Sequence, residues 1–174
     1  MDQKLVDAIN KQINAELYSG YMYLSMSAYL DANNLPGIAH WMKIQAIEEY
    51  SHAMRLYNYI VERGDVVKLF AIEQPPTEWK SIIDVFEKTY EHEVKVTGMI
   101  NDLMTLAIKK GDYATQNMLQ WFVEEQVEEE SSADEILQKL RRIGDDGRGL
   151  LMIDAELGAR QPPVSMPIYG PEGE

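Results

Sequence analysis

The sequence predicts an all-α protein: a bundle of four long helices with one long crossover between the second and third, plus a short fifth helix near the C-terminal end. Three observations predict it. Apolar residues recur at steps of three and four along four long segments, as one face of a helix requires. The helix breakers are confined to the junctions: the seven Pro fall at Pro36, at Pro75-Pro76 and beyond residue 160. Two of the junctions are short and one is long, which fixes how the helices follow one another.

The first helix is expected from Gln3 to Asp31, stopping at the breaker cluster Asn33-Asn34-Leu35-Pro36-Gly37. The second starts near Pro36, a good first-turn residue, and ends at Gly64. The third starts near Glu78, after Pro75-Pro76, and ends at Gly111 as a C-terminal cap. Asp112 then caps the fourth, which runs to Ile143 and stops at Gly144. A short fifth helix fits Arg148 to Leu157. Residues 1–160 form one domain, and Gln161 to Glu174, with four Pro and two Gly, form a Pro-rich tail expected to be loosely ordered. The connector from Asp65 to Glu78 reaches roughly 45 Å when extended, and a helix of the expected length measures roughly 40 Å. It therefore spans the bundle lengthwise, and the second and third helices run parallel.

Length and composition bound the function. A chain of 174 residues builds one domain with a sizeable core, and 45% hydrophobic with 26% charged residues is an ordinary soluble mixture. The absence of Cys excludes disulfides, Cys-ligated zinc, iron–sulfur clusters and thiol catalysis. A net charge of −13 argues against nucleic acid as a partner and suits hard cations, although solubility alone explains it more simply. Asp2, Lys4, Asp7 and Lys11 interrupt any apolar N-terminal run, and no apolar stretch is long enough to cross a bilayer. A cytoplasmic protein without membrane partners is expected.

The chemistry lies in the stripes themselves. They read Ile9, Ile13, Glu16, Gly20, Tyr23, Ser27, Leu30 in the first helix and Met42, Gln45, Glu49, His52, Leu56, Tyr59 in the second. The third reads Ile82, Phe86, Thr89, Glu93, Val96, Ile100, Leu103, and the fourth Leu119, Phe122, Gln126, Glu129, Ala133, Ile136, Leu140. Each stripe carries a carboxylate near its midpoint, and midpoints coincide in a bundle of similar helices. Glu16, Glu49, Glu93 and Glu129 should therefore meet with His52 in one core layer. Unpaired buried carboxylates are very costly, and no Lys or Arg lies on the stripes beside them. Protonation would compensate, since burial raises carboxylate pKa values. Two divalent cations would compensate best. The spacing adds a second signal: Glu16 and Glu49 are 33 residues apart, as are Glu93 and Gln126, and Glu49-x-x-His52 is mirrored by Gln126-x-x-Glu129. Di-iron carboxylate bundles carry two lone Glu and two Glu-x-x-His motifs, and here Gln-x-x-Glu replaces one of the latter.

With these motifs the chain resembles the non-haem ferritins of bacteria and archaea. The matching stretches are Asn14-Ala-Glu16-Leu-Tyr18-Ser, Gln45-Ala-Ile-Glu48-Glu49-Tyr-Ser-His52-Ala, Tyr90-Glu-His-Glu93 and Leu119-Gln-Trp-Phe-Val-Glu-Glu125-Gln126-Val-Glu-Glu129-Glu, within a likeness over residues 3–160. The resemblance implies a ferritin-like fold and a ferroxidase that oxidises Fe(II) with O2. It implies that Glu16, Glu49 and His52 hold one iron, with Glu49 bridging to a second held by Glu93 and Glu129. Gln126 would lie beside the pair, close to where O2 binds. Tyr23 would hydrogen-bond a ligand and supply an electron. Glu48, Glu125 and Glu128 would form a third iron site. Some twenty-four copies would assemble into a closed homo-oligomeric cage that stores ferric oxyhydroxide. Bacterioferritins ligate haem through a Met inside the paired motif; Tyr50 and Ser51 stand there in this chain, so no haem is expected.

Individually, these residues have plainer readings. His52 is a structural histidine when taken alone, Tyr23 a core tyrosine and the third-site glutamates a solvated face. The 10 Met read as core filler, Trp41, Trp79 and Trp121 as packing or subunit contacts, and His40 and His92 lie off the central stripes. Two other functions compete with storage: a di-iron oxidase or peroxidase, which needs an apolar substrate channel, and a non-catalytic acidic scaffold, which gives no reason for four core carboxylates at one depth.

Overall fold

The computed structural model describes residues 1–162 and contains five helices, with no strand among the described residues. They are α1 (Gln3–Ala32), α2 (Pro36–Glu62), α3 (Ile82–Lys110), α4 (Tyr113–Ile143) and α5 (Gly147–Gly158). The Pro-rich tail expected from the sequence lies, from residue 163 onward, outside the described residues.

The helix ends are where cap chemistry puts them. Asp2 accepts from Lys4 N–H at the start of α1, Asp112 from Thr115 N–H at α4 and Asp146 from Arg148 N–H at α5, each satisfying a donor the first turn leaves free. Gly111 ends α3 in the left-handed region at φ 63°. One boundary differs from expectation. The third helix starts at Ile82 rather than near Glu78. Ser81 accepts from Asp84 N–H, and the Asp84 carboxylate accepts from Lys80 N–H, so this reciprocal capping arrests the helix four residues later than the prolines alone would.

The crossover is therefore longer, residues 63–81, and it runs along α1. Asn10 donates to the Val66 carbonyl at 3.3 Å and accepts from Lys68 N–H at 2.7 Å; Asn14 donates to the Ala71 carbonyl; Ser25 donates to the Pro76 carbonyl. Connector and α1 thus ascend together. Trp79 then packs on Tyr29 at 5.3 Å, and α3 descends antiparallel to α1 and parallel to α2. At the far end, Arg63 grips Asp112 with both nitrogens, at 2.9 and 3.0 Å, tying the end of α2 to the α3–α4 turn. That bidentate pair holds the Asp112 carboxyl down at about 2.

The core is split in two. One apolar cluster, including Met26, Leu30, Ile38, Met42, Phe86 and Leu140, fills the end of the bundle where α5 docks. The other, including Leu5, Ile9, Leu56, Ile100 and Leu119, fills the opposite end. Between them lies a layer of polar side chains, the candidate site.

Helix α5 closes the first end by close backbone approach. A Cβ on Gly37 would lie 1.8 Å from the Asp154 carbonyl oxygen, and the Asp154 carboxylate accepts from Ile38 N–H at 2.9 Å, capping the first turn of α2. Gly37→Ala should therefore push α5 off the bundle at a cost of about 2 kcal/mol or more. Amide exchange should show protection lost in α5 but kept in α1–α4; unchanged protection would refute the contact.

Candidate metal centre

Each central helix brings one carboxylate to the polar layer. Glu16, Glu49, Glu93 and Glu129 are 1, 2, 1 and 7% exposed, and His52 3%. Gly20 lets α1 and α2 approach here: a Cβ on it would sit 3.1 Å from the Ala46 carbonyl and 3.4 Å from Glu49 Cβ. Ligand atoms of Glu16, Glu49 and His52 lie within 4.8 Å of one another, and so do those of His52, Glu125 and Glu129. His52 Nδ1 is 3.4 Å from Glu49 Oε2, and its ring packs edge-on against Trp121 and Phe122.

Glu93 is in the layer but in neither compact group. Its carboxylate accepts from Tyr23 Oη and, at 3.2 Å, from Gln126 Nε2. These two donors turn it toward the α1 and α4 sides. Glu48 and Glu125 are half-buried at the rim of the layer and Glu128 is exposed; of these three only Glu125 belongs to a compact group.

The electrostatics follow from burial. It is the largest influence on every inner carboxyl, pushing Glu16 up to about 7 and Glu129 to about 8, and raising Glu49 well above the ordinary range and Glu93 above it. For Glu49, mutual repulsion with Glu93, Glu16 and Glu129 adds to this. The hydrogen bond from Gln12 moderates the rise at Glu16, that from Gln45 at Glu129, and those from Tyr23 and Gln126 at Glu93. Burial, then the Arg55 charge, lowers His52 to about 4, so its imidazole is neutral near pH 7 and has a lone pair to offer.

The donor set suits hard divalent cations. It supplies four carboxylates and one neutral imidazole, oxygen-rich and without a sulfur ligand. Two divalent cations would balance four carboxylate charges, and no Lys or Arg reaches the inner layer among the described residues.

A family profile described as the ferritin-like domain matches residues 6–143. The chain belongs to the ferritin family. It is 44% identical over 160 residues to the bacterial non-heme ferritin of Bacteroides fragilis, covering 92% of this chain and 99% of that one. It is 42% identical over 158 residues to a probable bacterial non-heme ferritin-like protein of Haemophilus influenzae, covering 91% of this chain and 96% of that one. Among solved structures it is similar to an open pore ferritin from the hyperthermophilic archaeon Archaeoglobus fulgidus, with a TM-score of 0.92 and 52% identity over 92% of this chain and 98% of that one.

Several residues that shape this ferritin's site carry no role in the sequence reading. Gln12 donates to Glu16 at 2.9 Å and Gln45 to Glu129 at 2.7 Å; Gln12 stands one turn before Glu16 and Gln45 one turn before Glu49, a spacing that could have flagged both. Thr97 accepts from Gln126 at 3.3 Å and donates to Glu130 at 2.5 Å, extending the polar layer outward between α3 and α4. Arg160, beyond α5, reaches Glu48 at 2.7 Å, and no periodicity signals it.

Proposed function

We propose that this ferritin stores iron and is a ferroxidase, oxidising Fe(II) with O2 at the buried carboxylate layer of each subunit. The observation that carries the reading is the layer itself: four carboxylates and an imidazole, almost wholly buried, with no Lys or Arg paired to them among the described residues. Fe(II) is substrate and cargo here. Glu16, Glu49 and His52 would receive one Fe(II), and Glu49, Glu93 and Glu129 the second, with Glu49 shared. Glu93 would exchange its Tyr23 and Gln126 bonds for the incoming ion. Each Fe(II) gives up one electron and one O2 takes both.

The remaining assignments follow from position. Tyr23 Oη donates a hydrogen bond to Glu93, and burial with the neighbouring carboxylates keeps the phenol protonated well above its ordinary range. It would hold Glu93 until the ion arrives, and would supply an electron to the oxidation. Gln126, bonded to Glu93 and Thr97, would border the O2 side. Glu48, Glu125 and Glu128 would hold a third, looser iron on its way through.

The cage is part of the proposal. Tyr21, Leu24, Ile47, Tyr50 and Ile72 line an outward apolar hollow of about 460 Å³ on the α1–α2 face, a surface suited to burial against another subunit. Twenty-four copies in closed symmetry would enclose the mineral. Fe(II) persists in reducing compartments, so we place the protein in the cytoplasm.

The test is aerobic addition of Fe(II) to the cation-free protein, following absorbance and particle size together. Rapid oxidation with hundreds of irons retained per particle is expected. Two irons per chain without mineral would instead indicate an oxidase, and no binding would indicate a scaffold.

A further inference from the structure

The chain beyond α5 returns to the candidate site. Two residues past Gly158, Arg160 lays its guanidinium over Trp41 at 5.0 Å and accepts at its own carbonyl from His40 Nε2 at 3.0 Å. Its two terminal nitrogens then go to different acceptors on α2: Nη2 donates to Glu48 Oε2 at 2.7 Å, and Nη1 donates to Gln45 Oε1. Trp41, Gln45 and Glu48 follow at steps of four and three, so one face of α2 forms the whole cradle. Gln45 in turn donates to Glu129 Oε2 at 2.7 Å. A continuous chain of bonds therefore runs from Arg160 through Gln45 to an inner carboxylate, while the same guanidinium sits on an outer one.

We propose that Arg160 is a positioning residue and the resident counter-cation of the outer acid group, holding Glu48 until a divalent cation displaces it and holding Gln45 in line with Glu129. The proposal rests on the reading of the inner layer as an iron site and of Glu48, Glu125 and Glu128 as an outer one. The physical basis is competition for lone pairs. A cation that takes Glu48, Glu125 and Glu128 needs the Glu48 oxygen that the guanidinium already engages. Arginine does not give up its proton, so it cannot yield by neutralising; it must move. Arg160 on Glu48 and the charge of Arg55 acting on Glu125, set against three carboxylates, still leave the group net negative, so a dication enters, more weakly than it otherwise would. An arginine that only fastened α5 to the bundle would leave cation affinity untouched.

The test is calorimetric titration of the assembled, cation-free protein with Zn(II), which is not oxidised, at fixed pH and salt. The outer group should appear as the weaker class of sites. Arg160→Gln is expected to tighten that class about fivefold, the effect of losing one partly exposed ion pair. Arg160→Lys, which keeps the charge, should stay near the parent, and in a Glu48→Gln background Arg160→Gln should change nothing further. Unchanged affinity in Arg160→Gln, or an equal gain without Glu48, would overturn the proposal. A crystal structure of the zinc-soaked parent gives a second measurement that no folding defect can obscure. Arg160 must have left Glu48 where zinc binds it; zinc in the outer group with the Arg160–Glu48 bond intact also overturns the proposal. If the parent shows no tight class of zinc sites at all, the reading of the inner layer fails, a result distinct from normal inner binding with an indifferent Arg160.

Discussion

Glu49→Ala is expected to slow the initial oxidation of Fe(II) by more than about a hundredfold, because replacing even an outer partner of a metal ligand costs about 10- to 100-fold and Glu49 serves both proposed irons. The geometry gives Glu49 a position no other residue can fill. It lies at the centre of the layer, 3.4 Å from His52 and with its ligand atom within 4.8 Å of that of Glu16, and it is repelled by Glu93, Glu16 and Glu129. Removing it separates the Glu16 side from the Glu129 side, so two Fe(II) ions no longer share a ligand or face one O2 together. Assembly should survive, since Glu49 is 2% exposed and its loss leaves the subunit surface unchanged. Relief of like-charge crowding also offsets the small cavity. Stopped-flow absorbance on particles of verified size measures this, and oxidation at the parent rate would remove the site assignment.

The second large effect concerns pH. Without bound cations, thermal stability should fall as pH rises from about 6.5 to about 8. The sign follows from the folded-state shifts. Glu16 and Glu129 are raised from 4.5 to about 7 and about 8, and Glu49 and Glu93 are raised as well. An acid raised on folding binds its proton more tightly in the native state. Its contribution is complete below pH 4.5 and is lost as pH climbs through the folded value. For Glu16 alone the shift corresponds to roughly 3 kcal/mol. His52 and His92 act oppositely: burial lowers both to about 4, so their contribution is present above 6.5 and lost as pH falls toward 4. Carboxylates and histidines therefore oppose each other below 6.5, and above it only the carboxylates titrate. Zn(II) should reverse the slope, because binding releases the same protons. Melting scans from pH 6 to 8.5 with chelator and with zinc check both statements, and a cation-free protein that grows more stable across that range would contradict the site's electrostatics.

Both effects trace back to features visible along the chain. Glu16, Glu49, Glu93 and Glu129 announce themselves because a carboxylate in an apolar stripe breaks a period that is otherwise hydrophobic. The crossover is equally legible, since connector length alone decides between parallel and antiparallel neighbours. The start of α3 is less so: two prolines stop a helix, but the Ser81–Asp84 capping pair decides where the next begins. Glu93 is placed correctly in depth and incompletely in contact, because its orientation is set by Tyr23 from α1 and Gln126 from α4.

The sequence by itself determined the helices, their order and the depth of the four carboxylates, because helical period, breakers and loop lengths are local properties of the chain. Only the tertiary structure decided which donors turn each carboxylate, that Gly37 admits α5, and that Arg160 reaches Glu48 across 112 residues of chain. Side-chain direction and long-range pairing depend on which helices come to lie side by side, and no period along one helix carries that information.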